Sequence, residues 1–169
     1  MLGFLGALDR LVFLLCKWGV IIGLAALFFL LGANVLTRTF PFITIAGYDE
    51  IVELIFAWMT FLGAVALWRE GGLYKVALIA QSAPRPLRRT IDLFIRILMM
   101  ALALVMTLKG AEFALYSGET TPFLRLDKSY WYAAVPVSGA LMTIYSIAGL
   151  VRFAQGREAE EEIIVDNLS

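Results

Sequence analysis

The chain of 169 residues has no histidine and a single cysteine, Cys16. One cysteine cannot close an internal disulfide, and without histidine the commonest metal ligand and the usual neutral-pH proton carrier are missing. Zinc sites, dithiol redox chemistry and Ser-His catalysis are therefore excluded. Charge is scarce as well: charged residues make up 17% of the sequence, and 14 Lys+Arg balance 14 Asp+Glu. With no basic excess there is no footprint for nucleic acid. What remains is oil. The sequence is 61% hydrophobic with a mean hydropathy of +0.84, where soluble domains hold roughly half apolar residues even with glycine counted.

That composition places the chain in a bilayer, and a spanning helix needs roughly 20 apolar residues. The fold class expected is an all-α integral membrane protein in one domain over 1–169, with four transmembrane helices plus a short interfacial amphipathic helix. The spans fall at about 11–36, 49–68, 91–116 and 129–151. The first apolar stretch is too long for a cleaved signal peptide, and Thr37 and Arg38 follow it in place of small residues, so it reads as a retained span. Pro41 and Gly47 mark a connecting loop. Residues 70–83 mix an apolar side with Lys75, Gln81 and Ser82, the pattern of a helix lying in the interface. The residues from 156 to 169 hold an acidic cluster and read as a solvated cytoplasmic tail.

Orientation follows from the distribution of Lys and Arg. With the N-terminus inside, nine of them (Arg10, Lys17, Arg69, Lys75, Arg85, Arg88, Arg89, Arg152 and Arg157) lie on the inner side. Three (Arg38, Arg125 and Lys128) lie on the outer side. Both termini are thus expected in the cytoplasm, the membrane being the bacterial inner membrane.

Few residues offer chemistry. Asp49, Glu50 and Glu53 are spaced to project from neighbouring positions of one helix. Such acids can hold a cation or relay protons, or they can cap a helix start at its positive dipole end and pair with Arg38 or with another subunit. The uncharged run from Leu54 to Trp68 behind them favours the cap. Gly19 and Gly23 form a G-x-x-x-G that permits close helix approach. Asn34 suits an interhelical hydrogen bond or a helix C-terminal cap. Trp18, Trp68, Tyr74, Tyr130, Trp131 and Tyr132 sit near span ends, as in a headgroup belt. Trp58 lies inside a span, against a helix or lipid, and Pro136 within the fourth span predicts a kink. No nucleophile-base pair suggests an enzyme, and no cofactor is called for.

Several strings resemble the small membrane subunit of tripartite ATP-independent periplasmic (TRAP) transporters, the DctQ-like Q subunit. They are Asn34 and Arg38 after the first span, then YDEIVELIFAWMTFLGAVALWRE with Asp49, Glu50, Trp58, Phe61, Leu62, Gly63, Ala64 and Arg69. Pro86, Arg88 and Arg89 follow, and then TTPFLRLDKSYWYAAVPVSG with Pro122, Leu124, Tyr132 and Pro136. The chain departs from the family where a histidine and, four residues on, an aspartate usually follow Arg69: Leu73 and Ala77 stand there. The resemblance implies a scaffold that binds a large M subunit in membrane lipid. Sodium drives uptake through that subunit of an organic acid, such as a C4-dicarboxylate or sialic acid, delivered by a periplasmic P subunit. It makes Asn34, Arg38, Asp49, Glu50, Glu53, Trp58, Gly63, Arg69, Pro122, Tyr132 and Pro136 candidate interface or structural residues, and Arg125 and Lys128 candidate docking residues for the P subunit. The alternative is a small four-span proton-coupled exporter acting as a dimer, which needs an embedded acid open to both sides.

Overall fold

The computed structural model describes residues 2–39, 47–70 and 85–155. Helix α1 spans Leu2–Thr39, α2 Tyr48–Arg69, α3 Arg85–Tyr116, α4 Ser129–Tyr132 and α5 Ala134–Ala154. Four segments are long and apolar enough to cross a membrane: Asp9–Thr37, Tyr48–Arg69, Thr90–Tyr116 and the α4–α5 stretch Ser129–Ala154. The interfacial helix expected over 70–83 falls, beyond Glu70, outside the described residues, as do the loop around Pro41 and the tail over 156–169.

The helices form a row. α1 packs on α2, α2 on α5 and α5 on α3, and among the described residues no comparable packing joins α1 to α3. Burial follows this order. The α4–α5 span, with a neighbour on each side, is 28% buried, while the edge helices α1 and α3 reach only 6%. Lipid tails are as apolar as leucine, so burial supplies no drive for helices to close into a bundle; they adhere where small residues let backbones approach. Each edge helix has such a seam. A Cβ at Gly19 would stand 2.8 Å from Leu62 Cδ1 and one at Gly23 3.2 Å from Met59 Cβ, so the G-x-x-x-G of α1 is used within the chain, against α2. Val20 lies over Gly63 from the opposite side. Gly110 and Gly139 serve the α3–α5 seam, where Gly110 faces Val135 and Pro136, and Gly139 faces the Thr107 backbone.

The core is a thin line through this row, Cys16, Val65, Trp68, Ala103 and Met142. Span four breaks at Ala133, between α4 and α5. Pro136 stands three residues beyond that break, in the first turn of α5, where a missing N–H removes no necessary bond. The expected kink is a helix restart. Pro86 likewise sits in the first turn of α3.

Candidate functional site

Polar side chains gather at the two ends of the row. At one end, the segment between α3 and α4 folds over the start of α2. Thr120 and Asp127 pair as an isolated bridge, Thr121 N–H donates to the Leu126 carbonyl at 2.8 Å, and Leu126 N–H donates to Thr121 Oγ1 at 3.0 Å. Arg125 completes the turn in the left-handed region, φ 52°. Beneath this turn lies Glu50, at the third position of α2, where a carboxylate ordinarily reaches back to its own helix cap. Here it reaches outward. Its two oxygens accept the Phe123 N–H at 2.8 Å and the Leu124 N–H at 2.9 Å. The N-cap, Gly47, has φ 76° and lies under Leu124, whose Cγ would be 2.9 Å from any Cβ there. Only glycine combines that dihedral with that clearance.

Two tryptophans tie α2 to α4. Trp131 Nε1 donates to the Glu50 main-chain oxygen at 3.1 Å, and Trp58 Nε1 donates to the Tyr130 carbonyl at 3.0 Å. Trp131 and Trp68 are both 4% exposed, so neither belongs to the headgroup belt expected from their positions. Trp18 and Tyr130 are exposed. Tyr132 donates its hydroxyl to Glu119 Oε2 at 3.0 Å, and Lys128 Nζ reaches the same oxygen at 3.3 Å. The Phe113 ring meets the Tyr132 ring at a tilt, centroids 4.6 Å apart.

The hydroxyl of Tyr132 and then the Lys128 ammonium hold the Glu119 carboxyl below the usual carboxylate range, and the Ser129 hydroxyl and amide do the same for Asp127. A carboxyl depressed on folding contributes stability that is fully present above its unfolded pKa, near 4, and lost as pH falls through the folded value. Glu119 in turn raises the Lys128 pKa, so that part is lost only in strong alkali. Amide exchange across 119–129, corrected for intrinsic rates, is therefore expected to stay constant from about pH 5 to 8 and to accelerate below about pH 4; a profile flat through pH 3 would contradict this.

At the opposite end, Arg69 makes a two-pronged bond to Asp9, Nε to Oδ1 at 2.8 Å and Nη2 to Oδ2 at 2.5 Å. Tyr145 lies beside that carboxylate, and the Arg69 guanidinium lies 4.6 Å from the centre of the Phe13 ring. Trp68 Nε1 donates to Ser146 Oγ at 3.0 Å nearby. α1, α2 and α5 are thus braced together at one level. Asp9, Tyr145 and Ser146 did not stand out in the sequence. The available signal was an acid where span one begins and a base where span two ends, which an antiparallel pair places at one depth.

Of the candidates read from the sequence, Glu50, Trp58, Tyr132 and Pro122 come together around the capped end. Pro122, next to the buried Thr121, is itself exposed. The acidic trio separates: Glu50 is buried, while Asp49 and Glu53 face outward. Glu50 is held by loop amides, and the side chain of Arg38 lies outside the described set. Asn34 is half-buried and its carbonyl accepts the Thr37 hydroxyl at 2.8 Å; α1 runs on to Thr39, so Asn34 is not its C-terminal cap. Gly63 and Pro136 sit in the seams. Arg125 is exposed, and among the described residues it enters no ion pair.

Among the described residues the arrangement braces helices. Two comparisons agree with it. Residues 27–156 match the family model of tripartite ATP-independent periplasmic transporters, DctQ component. A Haemophilus influenzae protein described as a TRAP transporter small permease protein is 28% identical over 105 residues, covering 61% of this chain and 65% of that relative. The family match over residues 27–156 holds the start of α2, the loop that caps it and the α3–α5 glycine seam, and this chain belongs to the DctQ family of TRAP transporter components.

Proposed function

We propose that the chain acts as the scaffold subunit of a TRAP transporter in the bacterial inner membrane, with both termini cytoplasmic. It would bind the large M subunit and support sodium-driven uptake of an organic acid, such as a C4-dicarboxylate or sialic acid, brought by a periplasmic P subunit. The observation that carries this reading is the use of the acids. Glu50 is bonded to loop amides and Asp9 to Arg69, so each joins helices or loops instead of standing open to both sides as an exporter requires. The row of helices also leaves wide apolar surfaces on α1 and α3, suited to a partner or to lipid.

In this reading the capped end faces the periplasm. Glu53, outward on α2, is the interface candidate, because a polar group in lipid gains from a partner. Arg125, at the tip of the turn, is the docking candidate for the P subunit, with Lys128 held behind it by Glu119. In cells expressing all three subunits, Glu53→Leu is expected to lower the small-to-large subunit ratio after purification about three- to tenfold. Arg125→Glu should reduce uptake while leaving that ratio intact. An unchanged ratio in the first variant, or unchanged uptake in the second, removes the residue from its role.

A further inference from the structure

Lys109 and Glu112 form an ion pair on the flank of α3, Nζ to Oε2 at 2.6 Å, with 75% and 57% of their side-chain surfaces exposed. The rise from Arg96 to Lys109 along the helix is about 20 Å, well short of the ~30 Å hydrocarbon core. Both cations cannot stand in opposite headgroup layers at once. Arg96 is turned to protein, donating to the Gly149 carbonyl at 3.2 Å with its guanidinium 5.2 Å from the Phe153 ring centre. Lys109 and Glu112 point away from the row. An ammonium carries three donors and a carboxylate about four lone-pair sites, and their mutual bond uses one of each. The remainder are open to polar company from the headgroup layer.

The same place is concave. An open cleft of about 640 Å³ is lined by Lys109, Glu112, Phe113, Tyr116 and Ser117, within the range of small-ligand clefts, roughly 300–1,000 Å³. Ser117 Oγ is shielded there and has no hydrogen-bond partner among the described residues. Lys109 stands about 10 Å along the axis from Tyr116, the last residue of the helix, so the cleft opens at headgroup level on an edge of the row.

We propose that this cleft binds the headgroup of a zwitterionic phospholipid with a primary amine, its phosphate on Lys109 and its ammonium on Glu112. The two protein charges match that headgroup in sign and order. An anionic glycerol headgroup would satisfy Lys109 but bring no cation to Glu112. A quaternary amine offers Glu112 no N–H. Phe113 and Tyr116 supply rings at the depth where aromatic side chains favour the interface.

The purified full chain in uncharged detergent, titrated with dioctanoyl phosphatidylethanolamine and read by native mass spectrometry, tests this. Binding is expected to weaken about tenfold in Lys109→Leu/Glu112→Leu, as for loss of charge-assisted bonds. Phosphatidylglycerol and phosphatidylcholine should each bind the unaltered chain about tenfold less well than phosphatidylethanolamine. Equal affinity in the double variant, or equal affinity for either other lipid, overturns the proposal. So does a double variant that keeps the lipid but no longer purifies with the large subunit, which would make the cleft a seat for protein.

Discussion

Replacing Glu50 with alanine is expected to release the turn over α2, raising amide exchange at Phe123 and Leu124 roughly 10- to 100-fold, the effect of losing bonds to a charged acceptor. A methyl group in place of the carboxylate leaves the two amides to find water at a half-buried site. The damage should stop there. Trp131 bonds the main-chain oxygen of Glu50, which the substitution leaves in place, so the joint between α2 and α4 persists and Trp131 fluorescence should hold its wavelength. Glu50→Gln, with one acceptor oxygen in place of two, should fall between. Unaltered exchange in Glu50→Ala would show that the turn is ordered by its own Thr121 bonds alone.

Gly139→Ala is the second large effect, because its Cβ would meet Thr107 N at 2.8 Å, Thr107 Oγ1 at 2.9 Å and Met106 Cβ at 3.0 Å. The nearest atom is backbone and cannot rotate away. Thr107 is itself held by its hydroxyl bond to the Ala103 carbonyl at 2.8 Å, and the Gly139 carbonyl accepts the Thr143 hydroxyl at 2.8 Å. α3 and α5 must therefore separate along their length. Overpacking of this kind costs about 1–3 kcal/mol, which lowers a thermal midpoint on the order of 5 °C for a chain of this size. Gly139→Leu should do more. Gly32→Ala is the control: nothing lies within 4 Å of its added Cβ, and losing a helical glycine is mildly favourable. Matching midpoints for Gly139→Ala and the unaltered chain would mean the seam is not held shut.

Helix number and approximate position were legible because a bilayer demands long uncharged runs and leaves little else to satisfy. The close approach at Gly19 and Gly23 was legible as a pattern, but its partner was not, since α2 presents only ordinary apolar side chains, Met59 and Leu62. Glu50 attracted notice as an acid near a span, while its ligands did not: Phe123 and Leu124 contribute backbone amides, which every residue but proline carries. Trp68 and Trp131 were misread for a related reason. A tryptophan at a span end looks alike whether its indole meets headgroups or donates to Ser146 and Glu50, and a row only one helix thick gives no periodicity strong enough to tell the sides apart. The family strings around α2 and α4, by contrast, mark the contacts of the capped end, where many small constraints coincide.

A layer one helix thick has almost no inside. Most side chains on its two broad flanks answer only to the requirement of being oily, and a degenerate hydrophobic alphabet can be written there and rewritten without loss. Sensitivity to change is instead drawn into three narrow longitudinal lines, α1 against α2, α2 against α5 and α5 against α3, and into the clasps that close their ends.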